Sequence, residues 1–165
     1  MKKTLIIMLA IALAVMAAGC SGGNETQESV AADETQQAEK NNNEEESGTI
    51  EMTLKINEEE VNVKWEDNES VRALADLAAK GPVTIETSRY GGFEQVGGLG
   101  TTLPSDDVDT VTEPGDIVLY SSSNIVVFFG TNSWAYTRLG HIEGKSRDEL
   151  NELLGGNTAV LKITL

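Results

Sequence analysis

The side chains best equipped for chemistry in this chain are two arginines and five aromatic rings. Arg138 stands two positions after Tyr136 and four after Trp134, and Arg89 directly precedes Tyr90. A guanidinium beside an aromatic face can stack on it or grip a carboxylate with two hydrogen bonds. The alternative for either arginine is a solvated or purely structural role. Trp134 and Tyr136 flank Ala135, so in a strand their side chains share one face. Such a pair can wall a site for a peptide or small ligand, because aromatic rings supply large contact area with a polar handle; it can equally pack a core or close a barrel end. Tyr90 and Phe93 bracket Gly91-Gly92. Glycine tolerates positive φ and close backbone approach, which suits a binding loop or a plain tight bend. Phe128 lies in the apolar run Ile125 to Phe129.

Other reactive types are scarce. His141 is the single histidine and has no acid or nucleophile at a recognisable spacing, so neither a nucleophilic triad nor a multi-histidine metal site is expected. The acidic runs Glu58-Glu59-Glu60 and Asp106-Asp107-Asp109 lack the ligand spacing of a calcium loop and read as solvated loops. Gly97-Gly98-Leu99-Gly100 is followed by Thr101-Thr102-Leu103-Pro104, without the lysine or the helix that a phosphate-cradling loop needs, and reads as a loop. No metal and no cofactor is expected. The one cysteine, Cys20, lies far upstream of these residues, so disulfides, a catalytic thiol and a zinc–thiolate centre are excluded from the folded part.

The elements that must position the arginines and rings are mostly strands. Thr49 to Ile56 and Val61 to Trp65 alternate polar and apolar residues and predict a hairpin turning at Asn57 to Glu60. From Asn68 to Ala79 the period becomes helical, with Val71, Leu74, Ala75 and Ala78 on one face, Asn68 or Ser70 as cap, and Gly81-Pro82 as the stop. Strands are predicted at Val83 to Thr87, Ile117 to Tyr120, Ile125 to Phe129, Ala135 to Ile142 and Thr158 to Leu165. Turns fall at Glu113 to Asp116 and Ser121 to Asn124. Ser146-Arg147-Asp148-Glu149 has capping-box spacing and starts a short helix carrying Leu150, Leu153 and Leu154. Strands with one early and one late helix predict a mainly β fold, a closed barrel or curled sheet capped by helices.

Upstream, Lys2 and Lys3 precede an apolar stretch from Leu5 to Gly19 that is short for a bilayer span of about 20 residues. Positive start, apolar middle and small residues are the plan of a secretory signal; a retained transmembrane helix is the other reading. Ala17-Ala18-Gly19-Cys20 resembles the bacterial lipobox, although that family prefers Leu where this chain has Ala17. The resemblance implies a diacylglycerol thioether on Cys20, cleavage before it, and a lipid-anchored protein on the extracytoplasmic face of a bacterial cell membrane. A plain signal peptide with a chance cysteine is the alternative. The expected organisation is a signal peptide at 1–19, a disordered acidic linker at 20–47 and one domain at 48–165. From Ser21 to Ser47 there are eight acids against one base and no aromatic, so the segment cannot offset its ordering entropy and should extend. The domain holds nineteen acids and nine bases, a net −10 with no basic stripe, which argues against nucleic acid as a partner.

Three blocks, Tyr90-Gly91-Gly92-Phe93-Glu94, Glu113 to Tyr120 and Asn132 to Gly140, resemble the bacterial cyclophilin-like domain family of small uncharacterised proteins. That resemblance runs over Thr49 to Leu165 and implies a cyclophilin-type barrel of about eight strands with helices closing its ends. A fainter likeness to true cyclophilins shows in Phe128-Phe129 and in Gly140 to Gly144. True cyclophilins accelerate prolyl isomerisation with an arginine placed in a Phe-His-Arg segment ahead of a Gly-Gly pair, and here Arg89 is the arginine nearest Gly91-Gly92, with no Phe-His-Arg. Two functions follow as expectations. The preferred one is a surface-anchored module binding a peptide or small ligand, with Tyr90, Phe93, Phe128, Trp134 and Tyr136 as candidate contacts. The other is a divergent peptidyl-prolyl isomerase acting on exported proteins, with Arg89 or Arg138 as the catalytic donor; it requires one of them beside an apolar cleft near Phe128 or Trp134.

Overall fold

A computed structural model describes residues 50–165. The expected signal peptide, the expected lipidation point Cys20 and the expected linker all lie outside the described residues. Eleven elements follow in the order β1 (Thr53–Ile56), β2 (Glu59–Trp65), α1 (Glu69–Ala79), β3 (Val83–Tyr90), β4 (Glu94–Gly98), β5 (Val108–Val111), β6 (Asp116–Tyr120), β7 (Asn124–Phe128), β8 (Ser133–Glu143), α2 (Arg147–Leu154) and β9 (Thr158–Thr164). The strands run in the order β2-β1-β9-β3-β4-β7-β6-β8-β5, and an additional β2–β8 pairing brings the sheet round on itself. The result is the expected mainly β barrel, nearly closed, with nine strands in place of about eight. Every pairing is antiparallel.

Alternation decides what fills the barrel. Leu54, Ile56, Ile85, Ile117, Leu119, Ile125, Val127, Leu139, Leu161 and Ile163 form one buried cluster with Val71 and Leu74 of α1 and Leu150 and Leu154 of α2. The helices therefore plug the barrel with the apolar faces that their sequence periodicity marks. Asn68 caps α1 by accepting from the Val71 amide at 2.9 Å, and its own amide donates to the Arg138 carbonyl at 2.8 Å, tying the helix start to β8. Ser146 and Glu149 make the reciprocal capping box that opens α2.

Two strands escape a reading of the sequence. β4 occupies Glu94–Gly98, where charge and glycine suggest a bend and a loop. Its Gly97 is required by space: a Cβ there would lie 2.5 Å from Ile85 Cγ2 and 2.8 Å from the Glu86 carbonyl. Its Gln95, fully buried, donates to the Leu154 and Gly156 carbonyls at 2.7 and 2.9 Å and accepts from Thr87 Oγ1 at 2.9 Å, so a polar side chain is satisfied inside the barrel end. β5 takes up part of the acidic run, with Asp109 opposite Ala135 on β8. The first hairpin is also tighter than expected. Asn57 and Glu58 both have positive φ, 50° and 70°, and form the whole turn, which leaves Glu59 and Glu60 in β2. β3 runs on to Tyr90, so Gly91 and Gly92, with φ of 57° and 77°, make a hairpin bend into β4.

Candidate functional site

β6 and β7 are apolar on both faces. Ile117, Leu119, Ile125 and Val127 point into the barrel, while Val118, Val126 and Phe128 form a second, separate buried cluster with Tyr136. Phe93 and Val96 pack against that cluster. A strand buried on both sides signals that something covers its outer face, and the cover is a short aromatic stack. The Phe93 and Phe128 rings lie parallel with centroids 6.5 Å apart; Tyr136 meets Phe128 edge-on at 5.7 Å and Tyr120 edge-on at 6.0 Å.

Above this layer is a cleft of about 390 Å³ lined by Tyr90, Glu94, Val96, Tyr120, Val126, Asn132, Trp134 and Tyr136. Six different segments contribute, and strand register explains how. Tyr90 on β3, Glu94 on β4 and Phe128 on β7 stand in one cross-strand row. Val96 and Val126 form the next. Trp134 and Tyr136 alternate with Ala135 on β8 and so face the same way. Tyr136 is 4 % exposed and its hydroxyl accepts from Asn132 Nδ2 at 2.9 Å, whereas Trp134 and Tyr90 are 61 % and 68 % exposed and form the rim.

The floor carries the unusual group. Glu94 is 6 % exposed, and its Oε2 is buried without any hydrogen-bond partner. Burial pushes its carboxyl up from 4.5 to about 7. No opposite charge lines the cleft. The Tyr136 hydroxyl is also pushed up, first by burial and next by the negative charge of Glu94. A buried acid that lacks a partner and titrates near neutrality is uncommon in a purely structural setting, and such groups concentrate at functional sites.

A larger depression, about 580 Å³, lies between the start of α1 and β8. Its polar groups answer one another: Ser70 Oγ donates to the Pro104 carbonyl at 2.6 Å, the Asp106 amide to Thr137 Oγ1 at 2.8 Å, and Asn68 to Arg138 as described. Nothing there is left for a ligand in the way Glu94 is left, so the aromatic cleft is the better candidate.

Of the five rings singled out in the sequence, Tyr90, Trp134 and Tyr136 line the cleft. Phe128 is fully buried beneath it and offers no surface to a ligand; Phe93 buttresses Phe128 and turns its edge toward a separate depression shared with Arg147 and Asn151. Neither of the two lines the cleft. The two arginines lie elsewhere. Arg89 donates to the Gly155 carbonyl at 2.7 Å and sits 5.4 Å over the Phe129 ring, holding the α2 end against the β3–β4 hairpin. Arg138 donates to Asp116 Oδ2 at 3.0 Å and to the Val111 carbonyl at 3.2 Å. Asp116, 3 % exposed, also meets His141 Nδ1 at 2.8 Å and accepts from the Glu113 amide at 2.9 Å, so the only histidine is spent on a turn. Among the described residues no three His, Cys, Asp or Glu side chains converge as a metal site would require.

Glu94 and Tyr120 were not legible as site residues. Glu94 looks like one more solvated acid in an acidic domain. The available signal was the pair of two-sided apolar strands, Ile117 to Leu119 and Ile125 to Phe129, which demand a second apolar layer outside the barrel.

A sequence model of the cyclophilin-like family matches residues 54–165, two thirds of the chain and all nine strands but the first residue of β1. This chain belongs to the cyclophilin-like family. No curated protein matches it. Among solved structures, the solution structure of the hypothetical protein AF2241 from Archaeoglobus fulgidus is similar at 21% identity and a TM-score of 0.48, covering 68% of this chain and 92% of that one. Each of the three blocks that carry the resemblance supplies lining to the cleft: Tyr90 and Glu94 from the first, Tyr120 from the second, and Asn132, Trp134 and Tyr136 from the third.

Proposed function

We propose that this protein is an exported, lipid-anchored protein of a bacterial envelope whose cyclophilin-like domain binds a small ligand, or a side chain of a short peptide, in the cleft over β4, β6, β7 and β8. The observation that carries the reading is the cleft itself: an aromatic wall from three strands around one buried, unpartnered carboxyl. Its volume, about 390 Å³, falls in the range of about 300–1,000 Å³ usual for small-molecule sites. Polar groups that fix orientation are few, as in such sites: Glu94, Asn132 and the tyrosine hydroxyls. The positions of Arg89 and Arg138, each engaged by backbone carbonyls or by Asp116 away from the cleft, favour binding over prolyl isomerisation, which needs a donor beside the apolar surface. Anchoring rests on Ala17-Ala18-Gly19-Cys20, and the acidic composition of 20–47 suits a spacer that would hold the domain off an anionic membrane.

The test is a titration of the full chain carrying Cys20→Ser, labelled for amide NMR, with a panel of uncharged capped tripeptides and neutral aromatic and aliphatic fragments. Saturable shifts confined to β3–β4, β6 and the first half of β8, lost in Trp134→Ala, are the expected result. A panel that leaves every one of those amides unmoved counts against the cleft as a ligand site. Metabolic labelling with an alkyne fatty acid tests the anchor: the wild-type chain takes the label and Cys20→Ser does not.

A further inference from the structure

We propose that the cleft is a receptor for an organic cation, a substituted ammonium or guanidinium group on a small molecule or peptide side chain, held against the Glu94 carboxylate and between the rings of Tyr90, Tyr120, Trp134 and Tyr136. The inference deepens the reading of the cleft as a ligand site and rests on it. Four observations converge. The only carboxyl among the residues lining the cleft is that of Glu94, 6 % exposed, and its Oε2 has no hydrogen-bond partner, so the ligand that completes the site is one that brings positive charge. The walls are four electron-rich rings, two of them tyrosines that already stand edge-on to each other, and aromatic faces attract ammonium and guanidinium groups most strongly where water is excluded. No lysine or arginine lines the cleft, although Arg89 immediately precedes Tyr90; it is turned away to the Gly155 carbonyl and the Phe129 ring. The domain's net charge of −10 raises the local concentration of cations and repels anions.

An uncharged carbonyl ligand would engage Glu94 only in its protonated form, and would forgo the attraction of the aromatic lining for a cation. A cation uses both. It also sets a pH dependence. The groups that face Glu94 are Tyr90 from β3, Tyr120 from β6, Tyr136 from β8 and the amide of Asn132 from the β7–β8 connection, with only apolar Val126 and Phe128 from β7. No other formal charge is among them. With Glu94 titrating at about 7, a cation of fixed charge binds its ionised form, and affinity grows with pH. Between about pH 5.5 and about pH 8.5 the ionised fraction rises about thirtyfold, and this bounds the gain.

The experiment is an amide-NMR and calorimetric titration of the full chain carrying Cys20→Ser at about 0.15 M salt, where the field of distant charges is screened beyond about 8 Å. The probes are choline, butylammonium and butylguanidinium, with 3,3-dimethylbutan-1-ol as the uncharged isostere of choline and butyrate as the anion. The expected result is that at least one cation perturbs the cleft amides at about 0.1 M or below, at least tenfold more tightly than the isostere. Glu94→Gln removes that preference and flattens the pH dependence, while Glu86→Gln, the same charge change at an exposed position on β3, leaves both intact. Three results each overturn the proposal: no cation shifts the cleft amides, the isostere or butyrate binds as tightly as choline, or Glu94→Gln binds choline like the parent chain. In all three the broader reading of a ligand cleft survives if the uncharged panel, the isostere or butyrate occupies the site, and falls with the proposal if nothing does.

Discussion

Replacing Glu94 by Gln should stabilise the domain above neutral pH and change its pH response. In the unfolded chain Glu94 ionises near its ordinary value of 4.5; in the folded domain it holds its proton up to about 7 because burial penalises the charge. Below about 4.5 both states are protonated and the carboxyl makes no pH-dependent contribution. As pH rises from there the unfolded chain releases a proton that the folded chain keeps, and stability falls; the loss is complete once pH passes the folded value. The gap corresponds to about 3 kcal/mol at about 1.4 kcal/mol per pH unit. Other acids in this domain titrate over the same range, so the informative quantity is the difference between Glu94→Gln and the parent chain, measured by urea unfolding at about pH 4.5 and about pH 8. The variant should gain about 3 kcal/mol on the parent between those two conditions, with unchanged denaturant slopes. A difference that stays flat with pH would refute the reasoning, since it would mean that the carboxyl is solvated or paired and ionises in the folded domain as it does in the unfolded chain.

Further tests address the parts that support the cleft. Gln95→Ala removes the donor to the Leu154 and Gly156 carbonyls inside the barrel end, while Thr87 Oγ1 keeps the Ala159 carbonyl, and should cost about 2–4 kcal/mol, read by urea unfolding. Gly97→Ala drives a methyl group to within 2.5 Å of Ile85 and against β3 backbone, and should lower stability by about 1–3 kcal/mol with a matching fall in thermal midpoint. Trp134→Ala should leave the unfolding midpoint within about 0.5 kcal/mol of the parent, because the ring is 61 % exposed, while abolishing ligand-induced shifts. In a protease-coupled assay the full chain should not accelerate prolyl isomerisation; acceleration lost in Arg89→Ala or Arg138→Ala would reverse the preference for binding.

Local rules carried much of the fold. The helix of α1 and its Asn68 cap, the capping box of α2, the alternating strands β1, β2 and β9 and the turns before β6 and β7 follow from periodicity and cap chemistry, because each is decided by residues within a few positions of one another. Trp134 and Tyr136 could be assigned to one face on the same grounds. β4 and β5 could not be read, since Glu94, Gln95, Gly97 and Asp109 are poor strand formers whose places are dictated by partners far along the chain: β7 for β4, β8 for β5. The arginines show the same limit from the other side. Sequence places Arg89 beside Tyr90 and Arg138 near Trp134, but Arg89 and Tyr90 are strand neighbours that point to opposite faces, and Arg138, though it alternates with Tyr136, is held by Asp116 and the Val111 carbonyl as Arg89 is by the Gly155 carbonyl. Composition settled what the domain lacks, a thiol, a histidine cluster and a basic stripe. What it holds in its cleft was decided only when five strands met, because the character of Glu94 is not a property of the residue but of the apolar layer that closes around it and supplies no partner.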